Sequence, residues 1–369
     1  MKYYIIAGEA SGDLHAANLM KEIKLLQPNS EFRAWGGDLM QEQGATVVKH
    51  YRDLAFMGFI EVIANLKTIL KNIDFCKKDI EEYQPDAVIF IDYPGFNLRI
   101  AEHVKALGIK TIYYISPQIW AWKESRVHKI KKYIDKMLVI LPFEKEFYAK
   151  HNYEVSYVGH PLLDAINEIP EDFKVFTSQN NLSEKPIIAL LPGSRKQEIN
   201  TMLPIMLSVV NDFKEYQFVI AGAPSQEKSF YEPFVSKYPN VHLAQNQTYD
   251  LLRHSKAALV TSGTATLETA LFKVPEVVCY KGSAVSYLIA KQLVKVKYIS
   301  LVNLIMDKEL VKELIQSELN KKNLKAELSK LLSDDYRNLL LSGYQELIQK
   351  LGGKGASKKA AEEIVAFVS

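Results

Sequence analysis

The chain has 369 residues, is 48% hydrophobic and carries a formal net charge of +3, so it is too long for one ordinary core and two domains of about 150 to 200 residues each are expected. The near-balanced charge excludes a global polyanion-binding role, so no nucleic-acid partner is expected, although local basic patches could still meet an anionic surface. Cys76 and Cys279 lie far apart without metal-type spacing, which excludes a disulfide framework or a zinc site and fits a reducing compartment.

Along the chain, short apolar runs alternate with helical patterns. The N-terminal run Met1 to Ala7 turns polar by Glu9, too short for a signal peptide or a span, so a cytoplasmic location is expected. Tyr3 to Ala7, then Gly8-Glu9-Ala10-Ser11-Gly12-Asp13, then Leu14, Ala17 and Ile23 at helical spacing read as strand, tight loop and helix. Ala87 to Ile91, Thr111 to Ile115 and Met137 to Leu141 are three further strands, with a helix over Leu98 to Leu107 that stops at Gly108. The stretch from about Glu168 to Pro186 is polar and patternless, which suits a boundary loop. Strands resume at Ile187 to Leu191, Phe218 to Ala221, Val241 to Leu243, Ala257 to Val260 and Val277 to Tyr280. Continuous rather than alternating apolar strands imply parallel sheets covered on both faces. The expected architecture is α/β, with two doubly wound, Rossmann-like domains: residues 1–168 and residues 169–355, the final helix at about 356–369 folding back on the first.

Ligands of open parallel sheets bind beyond the carboxyl ends of the strands. That rule selects Gly8 to Asp13, Asp92 to Asn97 and Ser116 to Trp122 in the first half, and Pro192 to Arg195, Gly222 to Pro224 and Ser262 to Glu268 in the second. Arg195 follows a buried strand and a Pro-Gly-Ser turn, a placement that suits a phosphate or, equally, an ordinary surface turn. Ser262, Gly263, Thr264, Ala265 and Thr266 offer backbone N–H groups and hydroxyls to a phosphate at a helix start. Glu268 could accept two ribose hydroxyls or be a capping-box glutamate. Asp92, emerging from a buried strand, could be a general base raised by desolvation, or an Asx cap. Glu9 and Asp13 weaken any phosphate reading of their own loop and suit hydroxyl or amino groups instead. Neither a Walker loop nor a Gly-x-Gly-x-x-Gly fingerprint is present, so ATP hydrolysis and dinucleotide oxidoreduction lose support.

In order, Gly8 to Asp13, Met57-Gly58, Ile91 to Asn97, Ser116 to Trp122, Leu141 to Glu144, Leu191 to Arg195, Ser262 to Glu268, Leu301 to Leu304 and Glu309 to Leu314 resemble the lipid-A-disaccharide synthase family over nearly the whole chain. The resemblance implies a GT-B type glycosyltransferase, with two domains facing a central cleft, acting without metal or other cofactor. It implies transfer of 2,3-diacylglucosamine from its UDP carrier to 2,3-diacylglucosamine 1-phosphate, giving the β-1′,6-linked disaccharide and UDP. By motif, Asp92 would be the catalytic carboxylate and Arg195 the residue facing the donor diphosphate. Thr264, Glu268 and Asn303 would surround the nucleotide, while Glu9, Ser11, Gly12, Asp13 and Asn97 would form the acceptor-side loops. The chain departs from the family pattern at Tyr93 and Gly95, where Ala and Asp are expected, so a second carboxylate has no counterpart here.

Acyl chains need an apolar home. Phe59, Val62, Ile63, Leu66, Ile69, Leu70 and Ile73 recur at helical spacing beside Met57, reading either as an acyl or membrane-contacting face or as a helix packed on the sheet. The basic run Lys123, Arg126, His128, Lys129, Lys131 and Lys132, beside Trp120 and Trp122, is a second membrane candidate with a solvated helix face as its rival. The expected partners are the two lipid substrates and the cytoplasmic face of the inner membrane, and a homodimer is compatible with the resemblance. A UDP-N-acetylglucosamine 2-epimerase-like isomerase and a non-catalytic nucleotide-sugar binding protein are the alternative functions.

Overall fold

The computed structural model describes residues 1–54, 66–166, 172–282 and 296–369. The chain divides into two compact units, the first comprising Met1–Asp164 with Leu351–Ser369 and the second Ala165–Lys350.

The first unit is built on β1 (Lys2–Ala7), β2 (Glu31–Gly36), β3 (Thr46–His50), β4 (Ala87–Ile91), β5 (Lys110–Tyr114), β6 (Lys136–Val139) and β7 (Ser156–Tyr157). They form one parallel sheet in the order β3-β2-β1-β4-β5-β6-β7. On one face, Tyr4, Ile6, Val88, Phe90 and Tyr113 pack against the helices Leu66–Tyr83 and Pro94–Ala106 through residues such as Cys76, Ile80, Ala101 and Val104. β2 was not expected from its mixed sequence. Its polar residues are satisfied at a distance: Arg33 pairs with the buried Asp79, and the Trp35 indole N–H donates to the Tyr4 hydroxyl at 2.9 Å. The short β3 and β7, also unexpected, close the two edges.

The C-terminal helix Ala356–Val368 lies in this unit and packs on the helix Ala10–Leu26. Asp164 caps it, accepting from the Gly355 and Ser357 N–H groups at 2.6 and 2.7 Å, and Lys110 donates to the final carbonyls of Phe367 and Val368. A carboxylate at the start and an ammonium at the end of a helix both oppose its macrodipole.

The second unit carries β8 (Ile187–Leu191), β9 (Gln217–Gly222), β10 (Val241–Gln245), β11 (Ser255–Thr261), β12 (Glu276–Tyr280) and β13 (Lys312–Ile315). Their order is β10-β9-β8-β11-β12-β13, again all parallel. The stretch expected to be an irregular boundary contains the helix Phe173–Gln179, capped by Asp172, whose carboxylate accepts from Lys174 N–H at 2.9 Å. Phe176 on that helix is fully buried against Ile187, Val219 and Val260. One buried, well-placed aromatic anchors a segment whose average polarity hides it.

Glu276, at the start of β12, is fully buried, and among the described residues neither carboxyl oxygen has a hydrogen-bond partner. Burial, aided by the Glu313 carboxylate, raises its pKa well above 4.5, so the folded chain holds this proton to higher pH than the unfolded chain does. The unfolded chain loses that proton as pH rises past its ordinary value, which lowers stability progressively above it. Glu276→Met therefore stabilises the chain by roughly 1–3 kcal/mol, with a larger gain at pH 8 than at pH 5. Urea melts at both pH values check this; a loss of stability at pH 8 contradicts it.

Candidate functional site

Both sheets reverse their strand order beside their first strand. β1 lies between β2 and β4, and β8 lies between β9 and β11. At such a switch point the flanking loops diverge and leave a crevice at the carboxyl ends of the strands. Register makes this concrete. Ala7 is paired with Ile91, so the loops beginning at Gly8 and Asp92 emerge side by side. Leu191 is paired with Val260, so the Pro192 turn emerges beside Thr261 and Ser262.

In the first crevice, Asp92 and Tyr93 have φ of 43° and 47°. Two successive non-glycine residues in the left-handed region are strained, Asp being among the side chains that tolerate it best. Their neighbours hold the turn. The buried Asn97 donates through Nδ2 to the carbonyls of Ile91 and Asp92 at 3.3 and 2.8 Å, and the Tyr113 hydroxyl also donates to the Asp92 carbonyl. Pro94 begins the following helix with its preset φ. The Tyr93 ring stacks on Phe96 at 5.4 Å and covers Gly8 so closely that a Cβ there would lie 2.5 Å from the ring. A side chain at position 95, by contrast, would meet open space.

Asp92 itself keeps contact with solvent. The surrounding protein nevertheless desolvates its carboxyl, and with the nearby Glu9 carboxylate raises the pKa to about 6, the Tyr93 N–H acting in the opposite direction. The Asx-cap reading fails, because Tyr93 is the residue at the helix start and no side-chain cap is made. Glu9 and Ser11 are exposed at the rim, and Gly12 is buried against β1.

Two expected acceptor-side residues are turned inward. Asp13 is 2% exposed and its carboxylate accepts from Gly37, Leu39 and Met40 N–H at 2.7, 3.1 and 3.2 Å. It caps the helix Asp38–Glu42, and three bonded N–H groups hold it there. Asn97 braces the Asp92 turn through Nδ2, while its buried Oδ1 has no hydrogen-bond partner among the described residues.

The next loop contains Ile115 at φ 66°, an outlier for a β-branched residue. Ser116 is buried and bonded to the Tyr148 hydroxyl at 2.7 Å. Trp120, one of the membrane candidates, is half-buried. It meets Phe143 edge-on at 4.9 Å and donates its indole N–H to Glu144 at 3.2 Å. Glu144 is fully buried, and although the Ile140 and Leu141 N–H groups bond it, burial raises its pKa to about 7. Met57, Phe59, Val62 and Ile63 lie outside the described residues, as do the side chains of Leu66 and Trp122. Ile69 and Ile73 turn to the core, whereas Leu70 faces solvent.

In the second crevice, β8 ends in Pro192, Gly193 at φ 101° and Ser194, with Arg195 at the N-terminal boundary of the helix Lys196–Leu207. A Cβ at Gly193 would collide with Glu198 at 2.0 Å. The Glu198 carboxylate accepts from Ser194 N–H at 3.2 Å and feels the charge of Arg195. Arg195 is exposed at the crevice.

Beyond β11, the helix Thr264–Leu271 starts at Gly263, which supplies no side-chain cap; the Thr266 N–H bonds the Gly263 carbonyl at 3.2 Å, and the N–H groups of Thr264 and Ala265 are those that a helix start can offer to an anion. The Ser262 and Thr266 hydroxyls donate to the carbonyls of Ile299 and Gly263, leaving Thr264 as the exposed hydroxyl beside the partly exposed Ala265. Glu268 is not a capping-box residue: with Gly263 at the cap that position is held by Thr266, and Glu268, further along the helix, accepts from the Tyr249 hydroxyl at 3.2 Å. Burial raises its pKa, opposed by that bond.

Asn303, expected at the nucleotide, is fully buried with its polar capacity spent internally. Nδ2 donates to the Val311 carbonyl and Glu313, and Oδ1 accepts from Leu310 and Val311 N–H, all at 2.8–2.9 Å. It joins the helix Leu301–Met306 to β13. Tyr249 is the residue that no motif indicated.

A family model described as lipid-A-disaccharide synthetase matches residues 3–367. The chain belongs to the lipid-A-disaccharide synthase family. Among similar curated proteins, the lipid-A-disaccharide synthase of Syntrophus aciditrophicus (strain SB) is 40% identical, with 97% of this chain and 95% of that protein aligned. That of Coxiella burnetii (strain CbuG_Q212) is 37% identical over 98% of this chain and 96% of the relative. Solved structures share the fold at low identity. Neisseria meningitidis UDP-GlcNAc 2-epimerase bound to UDP-GlcNAc superposes with a TM-score of 0.71 at 14% identity, covering 99% and 100% of the two chains. The glycotransferase of kitacinnamycin gives 0.64 at 13% identity over 99% and 98%. Membership of the lipid-A-disaccharide synthase family places the chain among the glycosyltransferases of lipid A biosynthesis, and the fold is the GT-B type. Among the described residues no helix is long and apolar enough to cross a membrane, and no three His, Cys, Asp or Glu side chains are grouped to hold a metal ion.

Proposed function

We propose that the chain transfers 2,3-diacylglucosamine from UDP to the 6-hydroxyl of 2,3-diacylglucosamine 1-phosphate, inverting the anomeric carbon and releasing UDP. The observation that carries this reading is Asp92, a carboxyl in a braced, strained turn at the switch point of the first sheet, with its pKa raised to about 6. A base close to neutral in pKa can take the proton of the attacking hydroxyl and is mostly ionised at pH 7. As the new glycosidic C–O bond forms, the bond from the anomeric carbon to the diphosphate oxygen breaks and its electrons leave with UDP. Arg195 and the N–H groups after Gly263 receive that charge, so the step requires no metal. Glu9, Ser11 and the Asp92 turn then belong to the acceptor, and Thr264, Ala265 and Glu268 to the nucleotide.

Both substrates carry two acyl chains, which favours action at the cytoplasmic surface of the inner membrane, with the protein bound peripherally. The test is incubation with UDP-diacylglucosamine with and without the lipid monosaccharide phosphate. UDP release that depends on the acceptor, together with disaccharide formation, is expected. Conversion of UDP-GlcNAc to its 2-epimer without any acceptor, and no disaccharide, would overturn the proposal in favour of an isomerase.

A further inference from the structure

Glu268, partly exposed on the helix that follows β11, has one carboxylate oxygen already held. The donor is the Tyr249 hydroxyl, on the helix Thr248–Arg253, at 3.2 Å from Glu268 Oε1. The phenol is itself braced: its ring meets Phe272, just past the helix that carries Glu268, at 5.1 Å. Phe272 is covered in turn by the Arg253 guanidinium at 5.5 Å, which is paired with Asp250 at 2.7 Å. The phenol, the aromatic ring and the guanidinium therefore tie the two helices together around one carboxylate.

We propose that Tyr249 is a positioning residue that fixes Glu268 for the ribose hydroxyls of a uridine nucleotide, and thereby sets the preference for a ribonucleotide over its 2′-deoxy analogue. The inference rests on the reading of Glu268 as the ribose acceptor. Two hydroxyls are accepted best by an ionised carboxylate in one orientation. Burial works against ionisation, whereas a donated hydrogen bond favours the charged form. The bond also restricts a long side chain before the ligand arrives, so less rotamer freedom is lost on binding. A tie serving only to join the helices would influence folding and leave nucleotide selectivity untouched.

Calorimetric titration of UDP and 2′-deoxy-UDP into the full chain separates these roles. The unaltered protein is expected to prefer UDP by roughly tenfold or more, the scale of a hydrogen bond to a charged group. Tyr249→Phe reduces that preference at least threefold, weakens 2′-deoxy-UDP less than UDP because that analogue keeps only the 3′-hydroxyl, and moves the pH midpoint for UDP binding upward because Glu268 loses the donor that favours its charge. Phe272→Leu, which loosens the phenol without touching either polar group, gives a smaller change in the same direction and serves if Tyr249→Phe does not fold. If Glu268→Gln abolishes the preference while Tyr249→Phe and Phe272→Leu retain both it and the pH midpoint, Tyr249 does not position Glu268. If Glu268→Gln itself retains the preference, the ribose reading of Glu268 fails and the positioning role falls with it.

Discussion

Asp92→Asn lowers the turnover number for disaccharide formation by ~10²–10⁴-fold, the usual contribution of a positioned general base, while the chain stays folded. Asn is the informative substitution. Residue 92 has a φ of 43°, which Asn tolerates as Asp does, whereas Ala adds a backbone penalty of about 1–2 kcal/mol to the chemical effect. The Asn97 and Tyr113 bonds to the Asp92 carbonyl do not involve the side chain and persist in the variant. The pH profile supplies the second readout. The base works only when ionised, so kcat/KM of the unaltered enzyme rises through about pH 6 and levels off above it. Glu9 contributes to the raised value by repulsion, so Glu9→Gln moves the inflection to lower pH without abolishing turnover. Near-normal transfer by a folded Asp92→Asn protein, measured by radiolabelled disaccharide formation, removes Asp92 from the role of base.

Arg195→Ala lowers kcat/KM for the UDP-sugar by roughly 10²-fold, about 3 kcal/mol, the scale expected when one preorganised donor to a departing oxyanion is removed. Arg195 is exposed at the start of the helix Lys196–Leu207, and its backbone carbonyl bonds Ile199 N–H whatever the side chain. Thermal stability therefore changes little. Arg195→Lys recovers part of the rate, since it restores the charge but not the planar fork that matches two phosphate oxygens. Steady-state kinetics with both variants, alongside thermal melts, check this; unchanged kcat/KM in Arg195→Ala eliminates Arg195 as the diphosphate partner.

The strands that bound both crevices were legible because each is buried on both faces and reads as an uninterrupted apolar run: Ala87 to Ile91 and Ile187 to Leu191 have no exposed member. β2 and β13 were not. Arg33 and Glu313 look like surface residues by type, yet Arg33 finds Asp79, and Glu313 accepts from Ile299 and Ser300 N–H and from Asn303. The same difficulty shaped the reading of the site. Asp13, Asn97 and Asn303 stand in motifs at strand ends, as a ligand-binding residue does, and each is committed to backbone groups of its own unit. Tyr249 stands in no motif, and only the approach of two helices brings its hydroxyl to Glu268.

By itself, the sequence determined the alternation of buried strands with helices, the two-part organisation, and the chemistry carried at each strand end: a carboxyl after β4, an arginine after β8, and a glycine-led helix start after β11. Those properties depend on local pattern and residue type. Tertiary structure decided which strand ends are neighbours, pairing Ala7 with Ile91 and Leu191 with Val260, and which polar side chains remain available at them. The physical reason is that parallel strands join through helical crossovers, so their order is set by packing across the sheet. Each buried polar group, in turn, must be satisfied by whichever partner the fold brings within reach.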